Sequence, residues 1–302
     1  FHETRTDKAE VELFRGMQWG RKAPAGTGVL IAQAGHMLAK IDEFWWLWRD
    51  ASLLYGQAVH NALVVAVVLE PGEKLIDRPI LAANGELHVY SWRGGKLVRH
   101  RFCKDKVAMD MVWETEVAPQ RSVCAPVPGG DGAVIAFVNE TGDVLTATAL
   151  LVRGGAVVKE LSGVTEGRYR MMARQRMALH VGVKSRPALA LMAESRDDAM
   201  YVQLELQLDF LKDECVWRRT VIEFVPAGSL QTVGIFYYKS QNSPEPFVMA
   251  VDNTGNLIWL RKRIVEVLRP GVGPEYGYPI LTTMANRYEA VGTGRQITLQ
   301  RF

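Results

Sequence analysis

The stretch Phe44–Arg49, FWWLWR, carries three tryptophans within four positions. Strand alternation places Trp46 and Trp48 on one face and Trp45 on the other, so at least one of the three is expected in the core. Aromatic faces also stack on sugar rings and flat organic molecules, and Arg49 would supply a polar anchor beside them. The cluster therefore predicts either packing between structural units or contact with a ligand.

Four further residues complete the candidate ligand-binding set, and these are Trp92, Trp259, His180 and Tyr237. Trp92 and Trp259 would serve for stacking if their rings were exposed. His180 and Tyr237 lie on predicted strands whose ends are the place to search for an enzyme pocket. For His180, the role of a hydrogen-bonded structural histidine is favoured over that of a ligand.

Motifs for catalysis or metal binding are absent from the sequence. The six histidines form neither His-x-His nor His-Glu-x-x-His, and Gly-x-Ser-x-Gly does not occur. Glu194, Asp197 and Asp198 could serve acid-base chemistry if they faced a cavity, but this pattern is more typical of a solvated turn. No catalytic residue, metal ligand or cofactor is predicted, although residues scattered one per structural unit would escape a motif search.

The composition indicates a folded chain with a large core. The 302 residues are 48% hydrophobic and 23% charged, with a formal net charge of +3. The longest apolar run, Ala62–Leu69, is far shorter than a membrane span, so no membrane insertion is predicted. Basic residues are dispersed apart from Arg261–Arg263, which argues against a nucleic-acid partner. The three cysteines indicate neither a disulfide framework nor a zinc site.

A unit of apolar strand, turn and second apolar strand, often opened by proline, recurs along the chain. Its clearest copies are Pro79–Tyr90, Ala133–Leu145, Pro187–Val202 and Pro246–Leu260. The turn positions, which are Gly35, Gly85, Gly142, Asp197 and Gly255, follow one another at intervals of 50 to 58 residues. A period of this size is typical of one four-stranded antiparallel blade with its loops.

The strands after the turns are largely apolar on both faces. The neighbouring pairs are Leu87 and His88, Val144 and Leu145, and Leu257 and Ile258. A blade packed between two neighbours buries both faces, whereas a lone sandwich leaves one face polar. The runs ahead of the turns, which include Ala62–Leu69, Met177–Val183 and Thr232–Tyr238, are predicted as inner strands. Lys96–Phe102 is predicted as a polar outer strand.

These patterns predict an all-β fold, a β-propeller of four-stranded antiparallel blades that occupies residues 1–302 as a single domain. Six blades are expected, with five as the alternative. Pairing of Ala9–Phe14 with the C-terminal strand near Ile297–Leu299 would close the ring and remove an exposed edge. In blade pattern the chain resembles six-bladed propellers, the fucose-lectin type among them, over about four copies.

The fucose-lectin resemblance does not extend to repeated sugar sites. Such sites would need the same Arg, Glu and Trp at equivalent positions of several blades, but these positions hold Tyr90, Ala147 and Leu260. One divergent site is still compatible with the sequence.

Two functions from different classes stay open. The first is a non-catalytic ligand-binding propeller that recognises a glycan, a small molecule or a protein through loops at one end of the ring. The alternative is an enzyme of hydrolase, lyase or cyclase type, acting on a small organic substrate at the mouth of the central channel. A pocketless scaffold is a third option. The sequon Asn139–Thr141 would matter only in a secreted chain, and the compartment is unknown, with secretion slightly favoured.

Overall fold

The computed structural model describes the backbone of residues 29–34, 45–50, 52–58, 63–76, 79–116, 118–128, 132–172, 175–182, 186–238, 245–253, 257–261, 264–269, 288–293 and 296–301. Side chains are described mainly between residues 52 and 235. Within these ranges the regular secondary structure consists of β-strands. A helix long and apolar enough to cross a membrane was found nowhere in this part of the chain.

The first three sheets are antiparallel, and their strands follow chain order. The first sheet contains β1 (Val29–Ala34), β2 (Trp45–Asp50), β3 (Leu53–Ala58) and β4 (Val65–Val68). In the second, β5 (Lys74–Leu75) and β6 (Ile80–Leu81) both pair with β7 (Leu87–Arg93), followed by β8 (Lys96–Phe102) and β9 (Val107–Glu114). The third contains β10 (Arg121–Pro126), β11 (Gly132–Thr141), β12 (Val144–Arg153) and β13 (Ala156–Val164).

The next two sheets share the segment 169–180. In the fourth sheet, β14 (Tyr169–Met171) and β16 (Ala178–His180) pair with β17 (Ala188–Ser195), followed by β18 (Met200–Asp209) and β19 (Glu214–Pro226). In the fifth, β15 (Gln175–Arg176) lies parallel to β20 (Leu230–Tyr238), followed by β21 (Glu245–Asp252), β22 (Leu257–Arg261) and β23 (Ile264–Arg269). A final antiparallel pair consists of β24 (Tyr288–Thr293) and β25 (Gln296–Arg301).

This succession of four-stranded antiparallel sheets confirms the predicted β-propeller class. The four clear copies of the sequence unit all fall on pairs of neighbouring strands, β6–β7, β11–β12, β17–β18 and β21–β22. The place of the pair differs, because β6–β7 comprises the first and second strands of its sheet, whereas β11–β12 and β17–β18 are the second and third strands of theirs. By Cα proximity the chain divides into two compact units, residues 1–135 with 150–159, and residues 136–149 with 160–302. The number of blades, the ring closure and the single domain stay predictions, and Ala9–Phe14 lies outside the described residues.

Hairpin turns at the repeat positions need a left-handed backbone. Gly85 and Gly142 supply it with φ of +82° and +62°. In the fourth copy, where glycine is replaced, Ala199 adopts φ of +54° instead. The turn geometry is therefore kept at a position whose side chain disfavours it.

The core of the first unit lies where the first and second sheets pack together. Leu54, Leu87, Val89 and Phe102 belong to one buried apolar cluster. Gly56 permits this packing, because a Cβ atom there would lie 2.5 Å from the Phe102 ring. The apolar faces of the sequence repeat thus meet between sheets, as predicted for neighbouring blades.

Two strand assignments were wrong. Val65–Val68, inside the predicted inner strand Ala62–Leu69, is the last strand of the first sheet. Lys96–Phe102 is the third strand of its sheet and is mostly buried, and β9 is the outer strand. The polar residues of Lys96–Phe102 suggested exposure, but Arg99 and His100 are buried because carboxylates from other elements pair with them.

Candidate functional site

Three segments of the first unit bring together a buried group of ionisable side chains. Glu73 lies in the connection between β4 and β5, Ser91 and Arg93 lie on β7, and His100 lies on β8. Strand alternation places Ser91 and Arg93 on one face of the second sheet. The side chains of Glu73 and His100 are fully buried, and so is Ser91. These four residues are called the Glu73 cluster below.

Each carboxylate oxygen of Glu73 accepts several hydrogen bonds. The Ser91 hydroxyl donates to Oε1 at 2.5 Å, and His100 Nε2 lies 2.7 Å from the same oxygen. His100 Nε2 also lies 3.1 Å from Ser91 Oγ. The other oxygen, Oε2, accepts from the Glu70 amide at 2.9 Å and from Arg93 Nη2 at 3.2 Å. The carboxylate is thus satisfied from two strands and its own loop.

Protonation states follow from these contacts. Burial raises the pKa of Glu73, but hydrogen bonds from Ser91, the Glu70 amide and His100 outweigh it, so the pKa lies below its ordinary value. An ionised carboxylate only accepts, and His100 Nε2 therefore carries a proton and donates to it. The other ring nitrogen, Nδ1, has no hydrogen-bond partner among the described residues.

The Glu73 cluster contains a serine, a histidine and an acid, but its geometry is not that of a nucleophilic triad. A triad places the serine and the acid on opposite nitrogens of the imidazole. Here Ser91 and Glu73 both contact Nε2, and the Ser91 proton is directed to the carboxylate. A substrate also cannot reach a serine that is fully buried. The cluster instead fixes the β4–β5 connection onto the second sheet.

The opposite face of the second sheet carries a second polar group. Asp110 accepts from Arg99 Nη2 at 2.7 Å and from Arg101 Nε at 2.8 Å. Burial raises the pKa of Asp110, but these bonds and the two positive charges outweigh it and hold the pKa below its usual range. Cys103 Sγ lies 3.3 Å from a Glu86 oxygen, and burial together with that carboxylate raises the pKa of the thiol. Cys103 is therefore not an activated nucleophile.

Metal-ligand geometry was not found in the described part of the chain, where no group of three or more His, Cys, Asp and Glu side chains could hold an ion. The acids singled out in the sequence have other partners. Asp197 pairs with Arg168, and Asp198 pairs with Arg219. Glu194 accepts hydrogen bonds from the Tyr201 hydroxyl and the Gly228 amide.

The tryptophan cluster lies on β2. Trp46 pairs with Gln57 and Trp48 with Tyr55 in the register of β2 with β3, while Trp45 and Arg49 stand opposite Ala58 and Leu54. The side chains of these four candidates lie outside the described residues, so their ligand role stays a prediction. The same holds for Tyr237 on β20 and Trp259 on β22.

Two candidates have described side chains. Trp92 is only 2% exposed and packs edge to face against Trp113 at a centroid distance of 6.1 Å, so it is a core residue rather than a stacking platform. His180 is half-buried on β16 opposite Ala188. Five of the eight candidates belong to the first compact unit, and His180, Tyr237 and Trp259 belong to the second.

A surface feature that motif searching missed lies on the strands that end their sheets. Nine large apolar side chains are exposed among the described residues. Six of them lie on β4, β9, β13 and β19, each the last strand in its sheet order. These six are called the outer-strand residues, and they are Val68, Met109, Met111, Val158, Val164 and Val216. No sequence motif marks these residues, because their exposure depends on which strand ends each sheet.

The comparisons with known proteins concern structure only, since the sequence matches no family model and no curated protein. Hydrazine synthase of Kuenenia stuttgartiensis is similar with a TM-score of 0.54 and 7% identity, covering 85% of this chain and 80% of that one. The Dos1 propeller has a TM-score of 0.44 and 8% identity over 86% and 76% of the two chains. A putative gluconolactonase has 0.43 and 10% over 85% and 84%. Likeness at such identities concerns the fold alone.

Proposed function

We propose that this chain is a non-catalytic binding propeller that takes up a protein partner along the outer strands of its sheets. The observation that carries the proposal is the concentration of exposed apolar side chains on those strands. Single exposed apolar residues are ordinary on protein surfaces, but six of the nine that are exposed among the described residues lie on the last strands of four sheets, where an edge is open to a partner.

The backbone of these strands supports the same function. In β13, positions 156, 158, 160, 162 and 164 are all exposed, and the intervening residues are less so. Because β13 ends its sheet, its outer edge has no strand partner within the described residues. An extended peptide can add to such an edge through main-chain hydrogen bonds, while side-chain contacts provide specificity. Val158 and Val164 would contact alternate side chains of the added strand.

A protein partner is favoured over a glycan or a small molecule by the chemistry of the exposed surface. Glycans stack on exposed aromatic rings flanked by polar groups. The large apolar side chains exposed in the described part of the chain are Val, Leu and Met, with no aromatic residue among them. A glycan site at the candidates Trp45, Trp46 and Trp48 is the competing proposal.

The enzyme alternative has less support. The Glu73 cluster, which has the residue types of a hydrolase, is buried and has the wrong hydrogen-bond pattern. Cys103 has a raised pKa, and the acids near the β17–β18 turn have their own partners. A pocket lined by residues outside the described ranges would be the place for such an activity.

Selection from a random peptide display library tests the proposal. Enriched peptides should be rich in β-branched residues, and the double variant Val158→Lys/Val164→Lys should bind them at least about tenfold more weakly. Val144→Lys is the matched control, since Val144 is an exposed valine that is not on an outer strand. It should leave binding unchanged.

Three outcomes would contradict the proposal. Equal losses in the control and in the double variant would show that any added charge weakens binding. Binding on a glycan array with no peptide enrichment would favour the tryptophan site. Turnover in a panel of ester, lactone and glycoside substrates would favour the enzyme.

A further inference from the structure

Met109 on β9 is an exposed methionine in contact with an anchored arginine. It is 51% exposed, and its sulfur lies 3.2 Å from Arg93 Nη2. Arg93 is held by two carboxylates, because Nη1 pairs with Glu70 at 2.6 Å and Nη2 pairs with Glu73 at 3.2 Å. The surface sulfur is thereby connected to the buried Glu73 cluster through one guanidinium group.

Met111 provides an internal comparison on the same strand. It lies two residues further along, on the same side of β9, and is 62% exposed. Within the described residues no hydrogen bond reaches its sulfur. The two methionines therefore differ mainly in the presence of Arg93.

We propose that Met109 is a peroxide-modified site whose sulfoxide is retained by Arg93. In this reaction a lone pair of Sδ attacks one oxygen of hydrogen peroxide or an organic hydroperoxide, the O–O bond breaks and an S–O bond forms. The sulfur is oxidised by two electrons, and the peroxide is reduced to water or to an alcohol after proton transfer to the leaving oxygen. Methionine sulfoxide is a polar product that reductases can convert back.

Retention follows from hydrogen-bond chemistry. A thioether sulfur is a weak acceptor, whereas the sulfoxide oxygen is a strong one. Nη2 of Arg93 carries two hydrogens, so it can donate to Glu73 and to the new oxygen together. Because Glu70 and Glu73 already orient the guanidinium, little side-chain entropy is lost when the oxygen binds.

The consequence for binding rests on the proposed function. A sulfoxide at Met109 would place a polar group on an outer strand that is otherwise apolar there, and it would weaken the uptake of apolar peptides at β9. In the presence of reductases, the sulfoxide would thus be long-lived at Met109 and short-lived at Met111.

The test follows oxidation and repair by peptide mass spectrometry on the full chain. The chain is treated with hydrogen peroxide, and catalase then removes the remaining peroxide. During the treatment Met109 and Met111 should be oxidised at least about tenfold faster than the fully buried Met192. Reductases for both sulfoxide epimers are then added. The sulfoxide at Met109 should be reduced at least about fivefold more slowly than that at Met111, and this ratio should approach one in Arg93→Gln.

Equal reduction rates at the two methionines in the wild-type chain would overturn the proposal without any variant. A slow rate at Met109 that persists in Arg93→Gln, or in Arg93→Leu if the first variant does not fold, would also overturn it. If retention is found but the selected peptides bind oxidised and reduced protein equally, the modified site stands and the binding surface at β9 is wrong.

Discussion

A single carboxylate organises the polar interior of the second sheet. Glu73 accepts hydrogen bonds from a loop amide, a serine, an arginine and a histidine, and all lie within the first compact unit. Buried charges are tolerated when they are paired and hydrogen-bonded, and the loss of one partner leaves the others unsatisfied. Glu73 is therefore expected to contribute more to the free energy of unfolding than its surface neighbour Glu70.

Glu73→Gln should lower the free energy of unfolding at pH 7 by about 3 kcal/mol, because it leaves His100 and Ser91 without a charged acceptor and removes one of the two carboxylates that pair with Arg93. Glu70→Gln is the control, since Glu70 is half exposed and its pair with Arg93 is a surface ion pair worth at most about 1 kcal/mol. Urea denaturation measures both. Equal effects of the two substitutions would contradict the assigned role of Glu73.

The pH dependence follows from the lowered pKa of Glu73. A carboxyl group with a lower pKa in the folded state than in the unfolded state stabilises the fold above its unfolded pKa, and this contribution disappears as pH falls through the folded pKa. The difference in unfolding free energy between wild type and Glu73→Gln should therefore shrink below about pH 4. A constant difference from pH 7 to pH 3 would contradict the ionised, hydrogen-bonded state.

Substitution of Trp92 distinguishes a core role of this residue from a role in ligand binding. Its indole is 2% exposed against Trp113, so Trp92→Ala should cost about 3–5 kcal/mol of stability. Binding of selected peptides by the remaining folded protein should be unchanged. A selective loss of binding with normal stability would return Trp92 to the ligand-binding residues.

At the scale of elements, the hairpin is the part of the fold that was predictable from local sequence. The recurring unit of apolar run, turn and second apolar run predicted the β11–β12 and β17–β18 hairpins, and the structure confirms both. The position of a strand within its sheet was less predictable, because Lys96–Phe102 has a polar sequence and a buried location. Its carboxylate partners Glu73 and Asp110 come from another loop and another strand, and local patterning does not encode such pairing.

Ala199→Gly should stabilise the chain by about 1 kcal/mol, since Ala199 occupies φ of +54° in the β17–β18 turn. The control is Ala190→Gly in the interior of β17, which should destabilise the chain because glycine weakens a buried strand. Thermal unfolding of both variants measures the difference. A lower midpoint for Ala199→Gly would show that the turn does not bear the expected strain.

At the scale of the whole molecule, the repeat predicted the fold class because its period specifies one blade, whereas the function depends on surfaces that the repeat does not specify. The candidates from motifs were aromatic and ionisable residues. The outer-strand residues are ordinary valines and methionines, whose exposure depends on which strand ends each sheet. Their role could therefore be assigned only after the strand order was known.

Ring closure is still a prediction at this scale. β25 contains Ile297–Leu299 and pairs with β24, and a two-stranded sheet is marginally stable by itself. If Ala9–Phe14 completes this sheet, deletion of residues 1–16 should lower the melting temperature by several degrees or more. An unchanged melting temperature would exclude closure by that segment.

The measurement that tests the proposed function most directly is amide hydrogen exchange of the full chain, with and without a peptide selected by display. Addition of a strand to a sheet edge protects backbone amides of the strand that receives it. The outer-strand proposal predicts that protection increases in β9, β13 or β19 and is absent from the hairpin turns near residues 82–86, 142–143 and 196–199. Protection confined to those turns would contradict the proposal and would return the binding site to loops at one end of the propeller.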